Sequence, residues 1–355
     1  MTDRESPAPM LDLPRYDRTQ SYDWNYEQRP APQQPGVTKV PGDWRFLGHS
    51  LTAPIGIAAG PLLHGDWCRY YASLGFEVVT YKTVRSRSRA CYPLPNLLPV
   101  ACEQLSGSET ELPADAAMRG TWAVAFGMPS KEVAVWRADL EATRQAMPSS
   151  SLLVVSVVGT VDESARLDDL ASDYAECARL AVASGANAIE ANFSCPNVAT
   201  CDGQLYQHPL DAQLVAARIR DAIGSLPLVI KIGHLTDEGL AAELLDVLSP
   251  YADAVSTTNS VATRVRAADG SFAFEGQKRG ICGDGIRAAS LRQVELLRKL
   301  IEKRGLRFEV VGVGGASCGQ HVREYLAAGA NHVQLATAAM VDPEIGLKIR
   351  SELAR

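Results

Sequence analysis

The chain has 355 residues, 46% of them hydrophobic and 21% charged, with a net charge of −6, proportions that suit one large α/β domain or two ordinary ones. The acidic balance argues against a broad nucleic-acid-binding surface, and no run approaches the roughly 20 apolar residues needed to span a bilayer. Eight cysteines include no CxxC pair, so the usual zinc and iron–sulfur spacings are absent and no metal is expected. The N-terminal stretch MTDRESPAPM lacks the basic-then-apolar pattern of a secretory signal. Reduced thiols and a cytoplasmic location are the expectation.

Residues 1–46 are polar and proline-rich (SPAPM, RPAPQQPG), with aromatics at Tyr16, Tyr22, Trp24 and Tyr26. No 3.6-residue repeat runs through them, which disfavours a membrane-surface helix. They are expected to form an extended arm held to the domain by its aromatics, leaving 47–355 as one unit. From residue 50 onward short apolar runs alternate with amphipathic stretches. The runs are 54–58, 77–81, 152–158, 187–192, 226–232, 253–257, 308–313 and 331–336. The amphipathic stretches include 167–185, 210–223, 237–248 and 290–305, and glycines such as Gly185, Gly305 and Gly329 mark helix stops. Eight strand–helix units spell a (β/α)8 TIM barrel with long insertions after strands two and six. A doubly wound sheet is the alternative, but no GxGxxG follows an early strand.

In such a barrel the chemistry gathers just after the strand C-termini. The stretch EANFSCPN follows strand four and sets Glu190, Asn192, Ser194, Cys195 and Asn197 close together. These groups must find partners if buried, so they either fill a turn or face a ligand. Period-two alternation puts Glu190 and Asn192 on one face. Lys82 follows strand two, Lys231 ends strand five and Asn259 follows strand six, all on the same rim. Strand seven runs into GVGGASCGQ and strand eight into LATAAM. Glycines there let backbone N–H groups approach a phosphate, at the corner where TIM barrels often bind one. An ordinary strand-to-helix turn is the plain alternative. Lys231 has three readings: a Schiff-base nucleophile, a fixed cation beside a flavin, or a barrel lysine paired with a carboxylate.

The ordered motifs APIGIAAG, GFEVVTYKTV, NFSCPN, VIKIGHLTDEG, STTNS, RGICGDGI, GVGGASCGQHVREYLAAGA and VQLATA resemble the dihydroorotate dehydrogenase family, including its dihydropyrimidine dehydrogenase branch. NFSCPN is the most specific of them. The resemblance implies an FMN-dependent dehydrogenase in which Cys195 takes a proton from the carbon next to a carbonyl while hydride passes to flavin N5. It implies that Asn192, Asn197 and Asn259 hold the substrate ring, since an amide both donates and accepts. Lys82 and Thr83 match a pair contacting flavin and substrate, Lys231 the lysine at flavin N1/O2, and Ala59 and Gly60 the backbone near the ring. Thr258 and Gly283 match residues lining the cofactor, with Asn192 also touching it. Gly314, Gly315, Ala336 and Thr337 match its phosphate turns. A homodimer acting on a small molecule is expected.

The chain departs from the family pattern in two motifs and in a longer segment between them. Asn96, in CYPLPN, stands where the family has an arginine, and Val124, in VAFGMP, stands where it has a substrate-gripping asparagine. These changes leave cofactor binding intact and open the substrate to a related dihydropyrimidine or another cyclic amide or acid. Arg85, Arg87 and Arg89 lie on the same rim, either to meet a substrate carboxylate or as solvated loop arginines. A Schiff-base aldolase using Lys231 and a degenerate, non-catalytic FMN-binding barrel are the alternatives in other classes.

Overall fold

The computed structural model describes residues 13–162, 165–194 and 204–355. The first element is a short helix, α1 (Tyr22–Glu27), whose N-cap Ser21 hydroxyl accepts the Trp24 N–H. A hairpin of β1 (Trp44–Phe46) and β2 (His49–Leu51) follows, and then β3 (Ile55–Ile57), α2 (Gly65–Ser73) and β4 (Val78–Val84). An insertion carries β5 (Leu97–Pro99), β6 (Glu111–Pro113) and β7 (Thr121–Val124). After α3 (Val133–Ala146) come β8 (Leu152–Val157), α4 (Leu167–Ala183), β9 (Ala188–Asn192), α5 (Pro209–Ile223), β10 (Leu228–Lys231), α6 (Glu238–Leu248) and β11 (Ala254–Thr257). A second insertion holds β12 (Val261–Arg266) and β13 (Arg279–Gly283). The chain ends in α7 (Arg287–Arg304), β14 (Glu309–Val313), α8 (Gly319–Ala327), β15 (His332–Leu335), α9 (Thr337–Val341) and α10 (Ile345–Leu353).

Strands β3, β4, β8, β9, β10, β11, β14 and β15 form a closed parallel barrel, with β15 pairing back onto β3. Helices cover the outside and side chains fill the inside, so these strands read as continuous apolar runs rather than alternating ones; all six residues of β8 are buried. The glycine stops act as expected: Gly305 caps α7 in the left-handed conformation at φ 64°. Phe46, Leu47 and Leu51 of the β1–β2 hairpin plug the barrel's N-terminal end, packing on Val78, Leu152, Ala188 and Val311.

Two features go beyond the sequence pattern. The N-terminal arm is anchored by its aromatics, with Tyr16 and Tyr22 set edge-on to Phe126 at 5.7 and 6.2 Å, yet it includes the helix α1 rather than staying extended throughout. The two insertions are not separate loops. Their strands join into one five-stranded sheet, in the order β5-β7-β13-β12-β6, with a small core of its own that includes Val100, Ala123, Val265 and Ile281. This sheet sits over the C-terminal mouth of the barrel, where β5, β7 and β13 contribute to the lining of a shared cleft.

Candidate active site

The cleft lies between barrel and inserted sheet. Its floor is polar and is set by the barrel register. Lys231 ends β10, with Asn192 of β9 as its partner on one side and Ser256 of β11 on the other. Three polar side chains thus occupy one row, all in the lining of the cleft. Asn192 is held in place: its Oδ1 accepts both the N–H and the hydroxyl of Ser194 at 3.1 Å, which turns its amide N–H2 toward Met128 Sδ at 3.3 Å. Asn259 Nδ2 donates to the Ser194 carbonyl at 3.0 Å. Ser194 therefore fixes two amides at once, and the Asn259 carbonyl oxygen is the end of that group turned away from this bond.

Lys231 Nζ lies 3.4 Å from Glu190 Oε1, with side chains only 9% and 1% exposed. An ammonium salt-bridged to a buried carboxylate offers no lone pair for Schiff-base attack, so the geometry disfavours an aldolase. Two more polar atoms are conspicuous. Ser256 Oγ and Gln334 Oε1 are buried in the cleft wall with no hydrogen-bond partner among the described residues, although Gln334 Nε2 donates to Thr80 Oγ1 at 3.2 Å. Buried polar groups are nearly always paired, and an orphan in a cleft marks where a ligand completes the network. Burial pushes the Cys282 thiol up to about 12, against the pull of nearby Lys231. It is a neutral part of the wall, not a base.

Of the residues expected from the sequence, Ala59, Gly60, Lys82, Thr83, Val124, Asn192, Lys231, Asn259, Ala336 and Thr337 converge on this cleft. Thr258, Gly283, Gly314 and Gly315 lie beside its lining. The Thr258 N–H donates to the Val313 carbonyl at 2.6 Å. Gly314 and Gly315 have φ of 131° and 73°, and a Cβ on Gly315 would come within 2.8 Å of the Gly283 carbonyl oxygen, so that turn admits no side chain. Cys195 and Asn197 lie outside the described residues. The solvated-loop reading of the rim arginines holds for Arg87, which is half exposed, but not for Arg85, which is fully buried. Arg85 is buried and donates to the carbonyls of Met128 and Gly159, Arg87 pairs with Asp162 at 3.2 Å, and none of the three rim arginines lines the cleft. Asn96 is also structural, donating to the carbonyls of Tyr92 and Ala125. Sequence reasoning missed Ser256, Gln334, Trp122 and Cys282. Strand alternation could have found Ser256, which shares a register row with Asn192 and Lys231.

The family model for dihydroorotate dehydrogenase matches residues 43–355. A dihydroorotate dehydrogenase of Dictyostelium discoideum is 29% identical, with 95% of this chain and 97% of the relative covered. The catalytic subunit of dihydroorotate dehydrogenase B (NAD(+)) from Desulforudis audaxviator is 27% identical over 87% of this chain and 90% of its own. The ligand-free DHODH of Eimeria tenella superposes with a TM-score of 0.69 at 17% identity, covering 87% and 86% of the two chains. That likeness concerns the fold. Together with the barrel and its polar floor, the match over most of the chain assigns this protein to the dihydroorotate dehydrogenase family, whose members are oxidoreductases acting on the CH–CH bond of dihydroorotate.

Proposed function

We propose that the chain is an FMN-dependent dehydrogenase that interconverts dihydroorotate, or a related dihydropyrimidine, with its unsaturated form. The observation that carries this reading is the pair of orphaned buried atoms, Ser256 Oγ and Gln334 Oε1, in the same cleft as Lys231. A flavin edge presents the N–H and carbonyl groups that such atoms satisfy, and the Lys231 ammonium suits the electron-rich end of that edge. Gly314, Gly315, Ala336 and Thr337 are the residues proposed to hold the phosphate, and Ala59, Gly60, Thr83, Thr258 and Gly283 to border the cofactor. FMN, when bound, supplies the hydride acceptor.

The remaining chemistry belongs to the chain. Cys195 is the proposed base: its sulfur takes the proton from the carbon next to the ring carbonyl as the C–C double bond forms. A thiol deprotonates far more readily near neutral pH than a hydroxyl. Asn192 donates to a ring carbonyl, Asn259 accepts a ring N–H, and Asn197 and Lys82 hold the rest of the substrate. The inserted sheet keeps water away from the reacting carbon. Anaerobic mixing with dihydroorotate and with dihydrouracil tests this reading: at least one should bleach the visible flavin band, and no bleaching by any dihydropyrimidine would contradict it. A cytoplasmic homodimer completes the reading by resemblance alone, and a monomer mass in sedimentation equilibrium would remove the dimer.

A further inference from the structure

The inserted sheet that roofs the cleft has a second face. Neighbouring positions of a strand face opposite sides, and in β13 Gly280 and Cys282 line the cleft while Ile281 packs into the sheet's own core. Arg279 shares the side of Ile281, away from the cleft. It is only 9% exposed, and it lines a pocket whose walls are Tyr92 to Pro95 on one side and Phe274 to Gln277 on the other. Among the described residues its polar and ring contacts are few. Nη1 donates to the Lys278 carbonyl at 3.0 Å, and the guanidinium lies over the rings of Tyr92 and Phe274, 5.9 and 5.3 Å from their centroids. Nε is buried without a hydrogen-bond partner. Glu275, a carboxylate of the same lining, is exposed. Ring faces hold a cation in place, but they do not satisfy the N–H groups along its edge. Buried polar groups are nearly always paired, so the Nε–Nη2 edge is left for an acceptor from outside.

The walls of this pocket are held by specific contacts. Asn96 Nδ2 donates to the carbonyls of Tyr92, Pro93 and Ala125 at 2.9, 3.4 and 3.0 Å, which fixes the loop carrying Tyr92 and the prolines against the end of β7. On the opposite wall Phe274 and Glu275 both stand at φ 56°. Two successive non-glycine residues in the left-handed region persist only where the surroundings impose them, and such positions recur at ligand clamps. We propose that the pocket binds a small planar carboxylate, an aromatic or heteroaromatic acid whose ring lies among Tyr92, Phe274 and the prolines and whose two oxygens accept from Nε and Nη2 of Arg279. A guanidinium fork matches a carboxylate in charge and in spacing, and aromatic walls favour a flat ring. The site is distinct from the cleft yet backs onto it. Ala125 lines the pocket directly after Val124, Arg279 directly precedes Gly280, and Val124 and Gly280 pair in the lining of the cleft.

The test titrates benzoate, and benzamide as its uncharged counterpart, into the protein as purified, with binding read by ligand-observed NMR. Benzoate should bind at least tenfold tighter than benzamide, the margin expected of a charge-assisted bidentate contact. Arg279→Gln should abolish that difference. Leu94→Glu places a competing carboxylate in the lining at a position 47% exposed, and it should weaken benzoate in the same direction if the Arg279 variant folds poorly. Absence of benzoate binding, or binding that neither variant changes, would overturn the inference. So would benzoate that perturbs the visible flavin band and keeps its affinity in both variants, since it then occupies the cleft. A dimer mass that is lost in Arg279→Gln, with no benzoate bound to the wild type, would give the guanidinium to a neighbouring subunit and equally overturn the small-molecule site.

Discussion

The floor of the cleft carries Asn192, Lys231 and Ser256 in one register row of the barrel, whereas the roof carries Leu97, Trp122 and Val124 on a sheet assembled from two distant insertions. On the floor, the two asparagines are fixed by Ser194 and the lysine by Glu190, while Ser256 Oγ has no partner among the described residues. On the roof, the described side chains that line the cleft are chiefly apolar, and the Cys282 thiol donates to the Asn259 backbone carbonyl at 3.4 Å. The contrast separates two tasks. A polar floor suits chemistry that every turnover repeats; the roof has a small core of its own behind it, while its cleft-facing Leu97 and Trp122 pack into the main core of the barrel.

The largest expected effect is at the proposed base. Cys195→Ala should slow flavin reduction by about 10²–10⁴-fold, the usual contribution of a general base, with the visible spectrum of the bound flavin unchanged. Stopped-flow reduction that stays at the wild-type rate would move the base elsewhere. Next in size is the buried ion pair. Lys231→Ala leaves Glu190 uncompensated at 1% exposure, which should cost about 3–5 kcal/mol of stability in denaturant unfolding. The double variant Lys231→Met with Glu190→Gln should recover most of that loss while its flavin reduction potential stays below the wild-type value. Recovery of both together would make the lysine purely structural.

How much of this was legible in the sequence differs between floor and roof for a physical reason. The barrel strands are buried on both faces, so PIGIA, LLVVSVV and VQLATA stand out as apolar runs, and the rim residues follow from where each run ends. Lys82, Asn192, Lys231 and Asn259 were therefore accessible from local pattern. The roof strands are short and pair across a long stretch of chain, Val124 with both Leu97 and Gly280. Nothing local in TWAV or RGICG says that they will meet, and Trp122 and Cys282 went unnoticed. The helix within the N-terminal arm escaped detection for a similar reason: at six residues it is too short to show a repeat, and it depends on packing against the domain rather than on propensity.

A third variant sharpens the comparison from above. Ile281 is fully buried in the core behind the roof, so Ile281→Ala should cost about 2–5 kcal/mol. If roof and floor are separable, the damage appears as weaker substrate binding and earlier local unfolding by hydrogen exchange in β7 and β13, with FMN retained. Loss of FMN together with the roof would show that the two are one unit. The effect that is smallest per step of the measurement concerns the plugged end of the barrel. His332 is fully buried, stacked on Phe46 at 4.6 Å, and burial pushes its pKa down to about 3 from an ordinary 6.5. Below pH 6.5 the unfolded chain takes up a proton that the folded chain refuses. Stability should therefore fall as the pH drops from 6.5 toward 3, by up to about 1.4 kcal/mol per pH unit from this group. His332→Gln should make that acid limb shallower by about one proton, and an unchanged slope in chemical denaturation between pH 6 and 4 would contradict the assignment.

The most direct measurement is release and chromatographic identification of the chromophore from the purified protein, with its stoichiometry. A polar floor with orphaned Ser256 and Gln334 atoms beside Lys231 should hold one non-covalent FMN per chain and turn the protein yellow. A colourless protein, or one that releases FAD, would contradict the assignment of that floor to FMN.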